Sequence, residues 1–335
     1  MTSALLEADF AVVRRSFDVA ASFELHPGER LSLFGASGAG KTSCLEAIAG
    51  TVRLRQGQIV LDGRLVNSPR RHWWSAEESA VEARRRQVSL VRQPTTLFPH
   101  MSVYDNVTYR LAAEHREHAL LGRLFSELGL EGLAHARPSS LSGGQRQRAC
   151  LARALARPFR ALLLDEPFSA IDVPSRQGLR RLCEERVEKT DAVAVLVTHD
   201  LPEAQAFGHR MGVIDEGRLL QLAPAEELVR RPSTRRVAEL VGYATFHTDE
   251  AGRVRALHPD RFEEGAHEGR GLVVRGTVRA CFAHGARYGC EIDPDGPGYE
   301  ASVRLHLDRP VHPGETVEAT ATDPPLVARS ETIEP

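Results

Sequence analysis

The densest concentration of chemistry in the sequence is the octapeptide Gly35-Ala36-Ser37-Gly38-Ala39-Gly40-Lys41-Thr42. Its glycines free the backbone to turn N–H groups inward around an anion, at the positive end of the helix that follows. Lys41 can reach the β- and γ-phosphates of a nucleotide as a compact charge, and the Thr42 hydroxyl can ligate Mg²⁺. The lysine is informative in itself. Of 43 basic residues only Lys41 and Lys189 are lysines, so a chain that otherwise uses arginine keeps a slim ammonium where a planar fork would not substitute. The competing reading, a glycine-rich turn with a chance lysine, does not account for the strand Leu31–Phe34 before the loop and the helix after it.

A second set of residues completes the chemistry. Leu141-Ser142-Gly143-Gly144-Gln145 opens a helix and offers a hydroxyl and bare backbone amides at another helix N-terminus, a second device for holding phosphate. The apolar run Ala161–Leu164 ends in Asp165-Glu166: Asp165 is placed to hold the Mg²⁺ water shell and Glu166 to polarise an attacking water. Ser169-Ala-Ile-Asp172 follows, and the run Val195-Leu-Val-Thr198 ends in the imidazole of His199. Gln93 follows the strand Val88–Val91 as a polar amide at the lip of the same site. Taken singly, each has a bland alternative: a structural histidine, an edge glutamine, a helix start.

These residues need a scaffold that alternates short apolar runs with amphipathic stretches, which is an α/β pattern. Strands are expected at Leu31–Phe34, Gln58–Leu61, Val88–Val91, Ala161–Leu164, Ala192–Val197 and Met211–Ile214. Helices are expected at Thr42–Ala49, Val103–Ala112, His115–Leu128, Gly144–Arg157, Ser175–Glu188 and Pro202–Phe207. Beyond residue 245 the texture changes, and net charge passes from +4 over residues 1–245 to −6 over 246–335. Five short β segments are expected there, at Leu272–Val274, Thr277–Cys281, Tyr288–Ile292, Ala301–Leu305 and Thr316–Ala321, enough for a small barrel or sandwich. Pro224–Val241 reads as one helical connection. Two domains are therefore expected: 1–245, with a helical subdomain at about 94–140, and 246–335, all-β.

The set of motifs, in this order and spacing, resembles the nucleotide-binding subunits of ATP-binding-cassette (ABC) transporters over about residues 5–245. The resemblance implies ATP and Mg²⁺ as ligands. Gly35 to Thr42 would bind phosphate, and Thr42, Gln93 and Asp165 would serve Mg²⁺. Glu166 would be the general base, with His199 on the γ-phosphate and Gln93 coupling to transport. Ser142, Gly143, Gly144 and Gln145 would contact ATP held by the opposite subunit of a homodimer. Because no membrane segment is fused to the cassette, it also implies an importer with separate permease subunits and, indirectly, an extracytoplasmic substrate-binding protein. The β-rich tail looks like the oligonucleotide-fold-like TOBE domain of importers for oxyanions such as molybdate, sugars, iron and polyamines. Two departures stand out. No tyrosine is available to stack on adenine, so Phe10 or Phe17 would have to serve, although both alternate like core residues. Arg92 stands before Gln93 where the family favours an aromatic residue.

Composition narrows the alternatives. At 42% hydrophobic and 26% charged the chain can bury a sizeable core, and a net charge of −2 argues against a global nucleic-acid field. No apolar run is long enough for a bilayer helix, and acids near the N-terminus do not suit a signal peptide, so a cytoplasmic protein, peripheral on the inner face of the membrane, is expected. Five cysteines without a CxxC pair fit a reducing compartment. The stretch Asn67–Arg86, with Arg70-Arg-His-Trp-Trp74, could stack on bases but reads better as a surface insertion. A soluble ABC ATPase acting on nucleic acid or ribosomes would be expected to carry two cassettes or coiled coils. A small-molecule kinase would leave Leu141–Gln145 unexplained.

Overall fold

The computed structural model describes residues 3–14, 17–69, 81, 85–93, 96–111, 118–267 and 271–328. The chain forms two compact units, Met1–Ala225 and Glu226–Pro335. The division therefore falls 20 residues before the expected boundary at 245/246, because the helices around residue 230 belong with the tail. The Arg70–Trp74 stretch lies outside the described residues. No helix among the described residues is long and apolar enough to cross a membrane.

The first unit is built on a ten-stranded sheet. Its centre is parallel: β6 (Val88–Val91), β7 (Ala161–Asp165), β8 (Val193–Thr198), β3 (Arg30–Phe34) and β9 (Arg210–Asp215) lie side by side in that order. β7 and β8 are buried at every position, which is why they read as continuous apolar runs rather than alternating ones. Alternate residues feed two cores. Leu163, Val195 and Val197 share one with helix α1 (Lys41–Ala49). Leu162, Leu164 and Leu196 join another with α4 (Gly143–Ala156), α5 (Val173–Lys189) and Phe207 at the end of α6 (Leu201–Phe207). Two shorter helices, α2 (Val103–Thr108) and α3 (His118–Glu127), place Val103, Val107, Leu121 and Leu124 in the same cluster as α4. The sheet continues through β10 (Arg218–Pro224) to an antiparallel wing of β1 (Leu6–Val12), β2 (Val19–Leu25), β4 (Gln56–Leu61) and β5 (Arg64–Asn67). Both β1 and β2 alternate buried and more exposed residues along their length, the pattern of a sheet with one solvated face.

In the second unit Pro224–Val241 is not one helix. It is divided into α7 (Ala225–Arg230) and α8 (Arg235–Leu240), the latter starting where the Thr234 hydroxyl accepts from the Val237 N–H; Pro232 and Ser233 break the run. Nor do the expected β segments map one to one onto strands. Leu272–Val274 and Thr277–Cys281 are a single strand, β14 (Gly271–His284). Gly276, which reads as punctuation, instead lets the next strand approach: a Cβ there would lie 2.4 Å from the Asp293 carbonyl oxygen. β14 lies in an antiparallel sheet ordered β13 (Phe262–Glu264), β17 (Thr316–Thr322), β14, β15 (Arg287–Pro294), β16 (Val303–Leu307). A separate three-stranded sheet holds β11 (Thr245–Thr248), β12 (Val254–Leu257) and β18 (Leu326–Val327). Val274, Ile292, Leu305 and Val317 lie in the core of the larger sheet.

Candidate functional site

The loop Gly35–Gly40 joins β3 to α1 and depends on glycine at two places. Gly40 caps α1 in the left-handed region, φ 102°, and a Cβ on Gly35 would stand 2.1 Å from the Ile214 carbonyl oxygen. Lys41 is 6% exposed. Its Nζ donates to the carbonyl oxygens of Gly35 and Ala36, each at 2.8 Å, so the ammonium sits inside the ring of its own loop. Burial pushes it below the ordinary lysine value, against the neighbouring charges of Glu166 and Asp165.

One residue on, the Thr42 hydroxyl donates to Asp165 Oδ1 at 3.1 Å. Burial pushes the Asp165 carboxyl up, partly offset by that hydrogen bond. A buried carboxylate, a hydroxyl and an ammonium therefore meet where β7 ends beside the loop. Glu166 turns away from the strand at φ 44°, a left-handed backbone, and its Oε1 lies 2.8 Å from His199 Nδ1 at the end of β8. Gln93, two residues beyond β6, donates to Ser169 Oγ at 3.0 Å, and Ser169 in turn donates to the Glu166 carbonyl oxygen at 2.9 Å. Of the residues expected from sequence, Lys41, Thr42, Gln93, Asp165, Glu166 and His199 are thus gathered at one end of adjacent parallel strands.

The Ser142 group stands apart from that network. Ser142 caps α4: its Oγ accepts from the Gln145 N–H at 3.2 Å, and its own N–H donates to Gln145 Oε1 at 2.8 Å. This reciprocal capping box explains the serine–glutamine spacing locally. Gly143 is open, with nothing within 4 Å of where a Cβ would stand, whereas a Cβ on Gly144 would lie 2.9 Å from the Ala170 carbonyl oxygen. A ligand can therefore approach at 143.

Several supporting contacts escaped the sequence reading. Gln147, buried in α4, donates to the carbonyls of Glu166 at 3.2 Å and Pro167 at 2.7 Å. Its signal is a glutamine on the stripe that continues through Leu151 and Ala154, positions otherwise apolar. Arg92 donates to Glu46 at 3.3 Å and to Thr51 Oγ1 at 2.9 Å. Arg14 pairs with the same Glu46 and donates to Ser43 Oγ at 2.8 Å. This clamp occupies the departure at Arg92: an arginine there ties the Gln93 segment to α1. Arg86 donates to the Ile48 carbonyl at 3.0 Å where α1 ends, satisfying a terminal carbonyl. Phe10 is core, 3% exposed, while the half-buried ring of Phe17 lies over Gly217 and beside Gly40.

Residues 20–169 match the ABC transporter family model. The chain is 36% identical over 294 residues to a Fe(3+) ions import ATP-binding protein of Rhodococcus jostii, covering 86% of this chain and 82% of that one. It is 34% identical over 261 residues to the molybdate/tungstate import ATP-binding protein of Thermococcus kodakarensis, covering 77% and 71%. A solved structure described as the ATP binding subunit of an ABC transporter superposes with a TM-score of 0.57 at 24% identity, over 71% of this chain and 95% of that one, a likeness of fold. Matched along most of the length of these relatives, the chain belongs to the ATP-binding subunits of ABC transporters and is an ATP hydrolase coupled to transport.

Proposed function

We propose that the chain energises an importer whose permease is carried on separate subunits. The observation that carries the ATP-hydrolysing part of this reading is the side-by-side placement of Thr42–Asp165 and Glu166–His199 next to the Lys41 loop. The two relatives named above are both import proteins, one for Fe(3+) and one for molybdate or tungstate. Those cargoes differ in charge and size, so the choice among an oxyanion, iron, a sugar or a polyamine rests with the permease and an extracytoplasmic binding protein.

The site fits Mg²⁺ with ATP. Asp165 is a carboxylate raised by burial, and the Thr42 hydroxyl beside it is a second hard oxygen donor; Gln93 would complete the protein's share. The metal would supply charge neutralisation on the transferring phosphate. Lys41 would release the Gly35 and Ala36 carbonyls and bind phosphate oxygens instead. Glu166 would orient and deprotonate the attacking water, and the ring of His199, 2.8 Å from that carboxylate, would contact the γ-phosphate. Phe17, over Gly217 and beside Gly40, would be the aromatic that stacks on the base.

The open amide at Gly143 and the hydroxyl of Ser142 serve a second nucleotide. Two copies would sandwich two ATP molecules, each between the Lys41 loop of one and the Ser142 helix of the other. Hydrolysis removes the phosphate both sides grip, and the dimer opens, driving the permease from the inner face of the membrane. Mixing Lys41→Ala with Ser142→Arg tests this arrangement. Each homodimer is expected to be inactive, while a mixed dimer has one composite site with both defects and one with none, so activity partly returns. Wild-type chains mixed with the double variant have one defect in each site, and these heterodimers are expected to stay inactive. Activity in the wild-type/double-variant dimers together with none in the Lys41→Ala/Ser142→Arg dimers, with heterodimers verified by mass, would refute the shared site.

A further inference from the structure

The five thiols fall into two groups. Cys44, Cys150 and Cys183 are buried on the helices α1, α4 and α5. Cys281 and Cys290 lie directly opposite each other on β14 and β15, three register pairs from the closing pair His284↔Arg287 of their hairpin. Their sulfurs are 3.3 Å apart. Opposed residues of an antiparallel pair have Cα atoms about 4.5–5.5 Å apart, inside the window of about 4.4–6.8 Å that a disulfide requires. Closing the bond asks the sulfurs to move together by about 1.3 Å, within reach of side-chain rotation.

The two thiols differ in access. Cys290 is 2% exposed within the core of the larger tail sheet, and Cys281 is half-buried at its margin. We propose that Cys281 and Cys290 form a thiol–disulfide modification site, closed by a peroxide-class oxidant that reaches Cys281 first and reopened by a dithiol. Cys281 as thiolate attacks one peroxide oxygen, the O–O bond breaks, and the departing hydroxide takes a proton to leave as water. Cys290 sulfur then attacks the resulting Cys281 sulfenic acid. The S–O bond breaks, hydroxide leaves as a second water with the Cys290 proton, and the S–S bond forms. Both sulfurs are oxidised by one electron each, and the peroxide is reduced to two waters. Burial and the hydrogen bond to Cys281 push the Cys290 thiol up to about 12, so the second step is slow at neutral pH and quickens as pH rises.

The full-length chain, reduced and freed of reductant, is treated with hydrogen peroxide, quenched with an alkylating reagent and weighed intact. The expected product has lost two hydrogens and two alkylatable thiols, and recovers both on treatment with dithiothreitol. Trypsin cuts at Arg279, Arg287 and Arg304, so Cys281 and Cys290 fall in separate peptides joined only by the new bond. Cys281→Ser is expected to abolish the joined peptide, and Cys290→Ser to leave Cys281 to oxidise alone; the half-buried Cys281 position decides the matter if Cys290→Ser does not fold. The proposal is overturned if Cys281 advances to sulfinic acid while Cys290 stays alkylatable. It is also overturned if the joined peptides come from two different chains, or if no bond between Cys281 and Cys290 forms under peroxide.

Discussion

Glu166 separates the requirements of chemistry from those of stability, because it sits at φ 44°. A left-handed backbone costs a residue with a Cβ about 1–2 kcal/mol and costs glycine nothing. Against this, glycine loses about 0.5–1 kcal/mol to alanine through the greater entropy of its unfolded chain. Glu166→Gly and Glu166→Ala both remove the carboxylate and its 2.8 Å contact with His199, so that loss cancels between them. The glycine variant is then expected to be the more stable by up to about 1.5 kcal/mol, the reverse of the order at an ordinary helical site. In a unit of this size each kcal/mol moves the unfolding midpoint by about 2–4 °C. Thermal unfolding without nucleotide, followed by circular dichroism in the helical band, reads the right unit, since the long helices α4 and α5 both belong to it. Turnover with ATP should fall by ~10²–10⁴-fold in both variants, as when a general base is removed. A glycine variant less stable than the alanine variant would refute the strain assigned to this turn. Hydrolysis within about threefold of wild type in either would refute the role assigned to the carboxylate.

Truncation should respect the unit boundary. A chain ending at Ala225 is expected to stay soluble and bind ATP, whereas one ending at Gly242 keeps Leu228, Val237, Ala238 and Val241, all fully buried in the complete protein, and should aggregate; equal solubility of the two would overturn this. Phe10→Ala should cost the fold about 3–5 kcal/mol as a core deletion. Phe17→Ala should instead weaken ATP binding with little loss of stability, and isothermal titration beside a denaturation series tells the two apart. His258 in the tail is held below the ordinary histidine value by burial. Its folded state therefore binds fewer protons than the unfolded chain, and tail stability should fall as pH drops from the unfolded histidine value through the lowered one. His258→Gln should flatten that slope in tail-unfolding midpoints measured across pH, and an unchanged slope would refute the assignment.

The phosphate chemistry is legible in the sequence because each element of it is local. A loop, a strand end or a helix start can be recognised within eight residues, and the parallel strands β7 and β8 announce themselves as unbroken apolar runs. What escapes recognition is non-local. The strands β1 and β2 carry small residues at Ala8 and Ala21, which blunt the alternation, and β1 takes its other partner, β4, from beyond β3 and α1. Gln147 gains its meaning from the carbonyls of Glu166 and Pro167, 19 and 20 residues away, and the Arg14–Glu46–Arg92 clamp joins three separate elements. In the tail, Gly276 looks like a strand end because a glycine that admits a neighbouring backbone and one that turns the chain have the same letter. A boundary at 245 follows charge and texture, but the compact units follow packing, and packing assigns α8 and nearly all of α7 to the tail.

The scarcity of lysine has a practical side. Outside the chain terminus, the sequence carries two amines that an acylating reagent could modify. Lys189 is 60% exposed on the end of α5. Lys41 is enclosed by the loop it serves, with its ammonium destabilised by burial. A reagent that counts amines therefore reads one surface group promptly and a second only as the loop admits it. The protein carries in its composition a native probe of how often the phosphate loop breathes, with no label introduced and no residue changed.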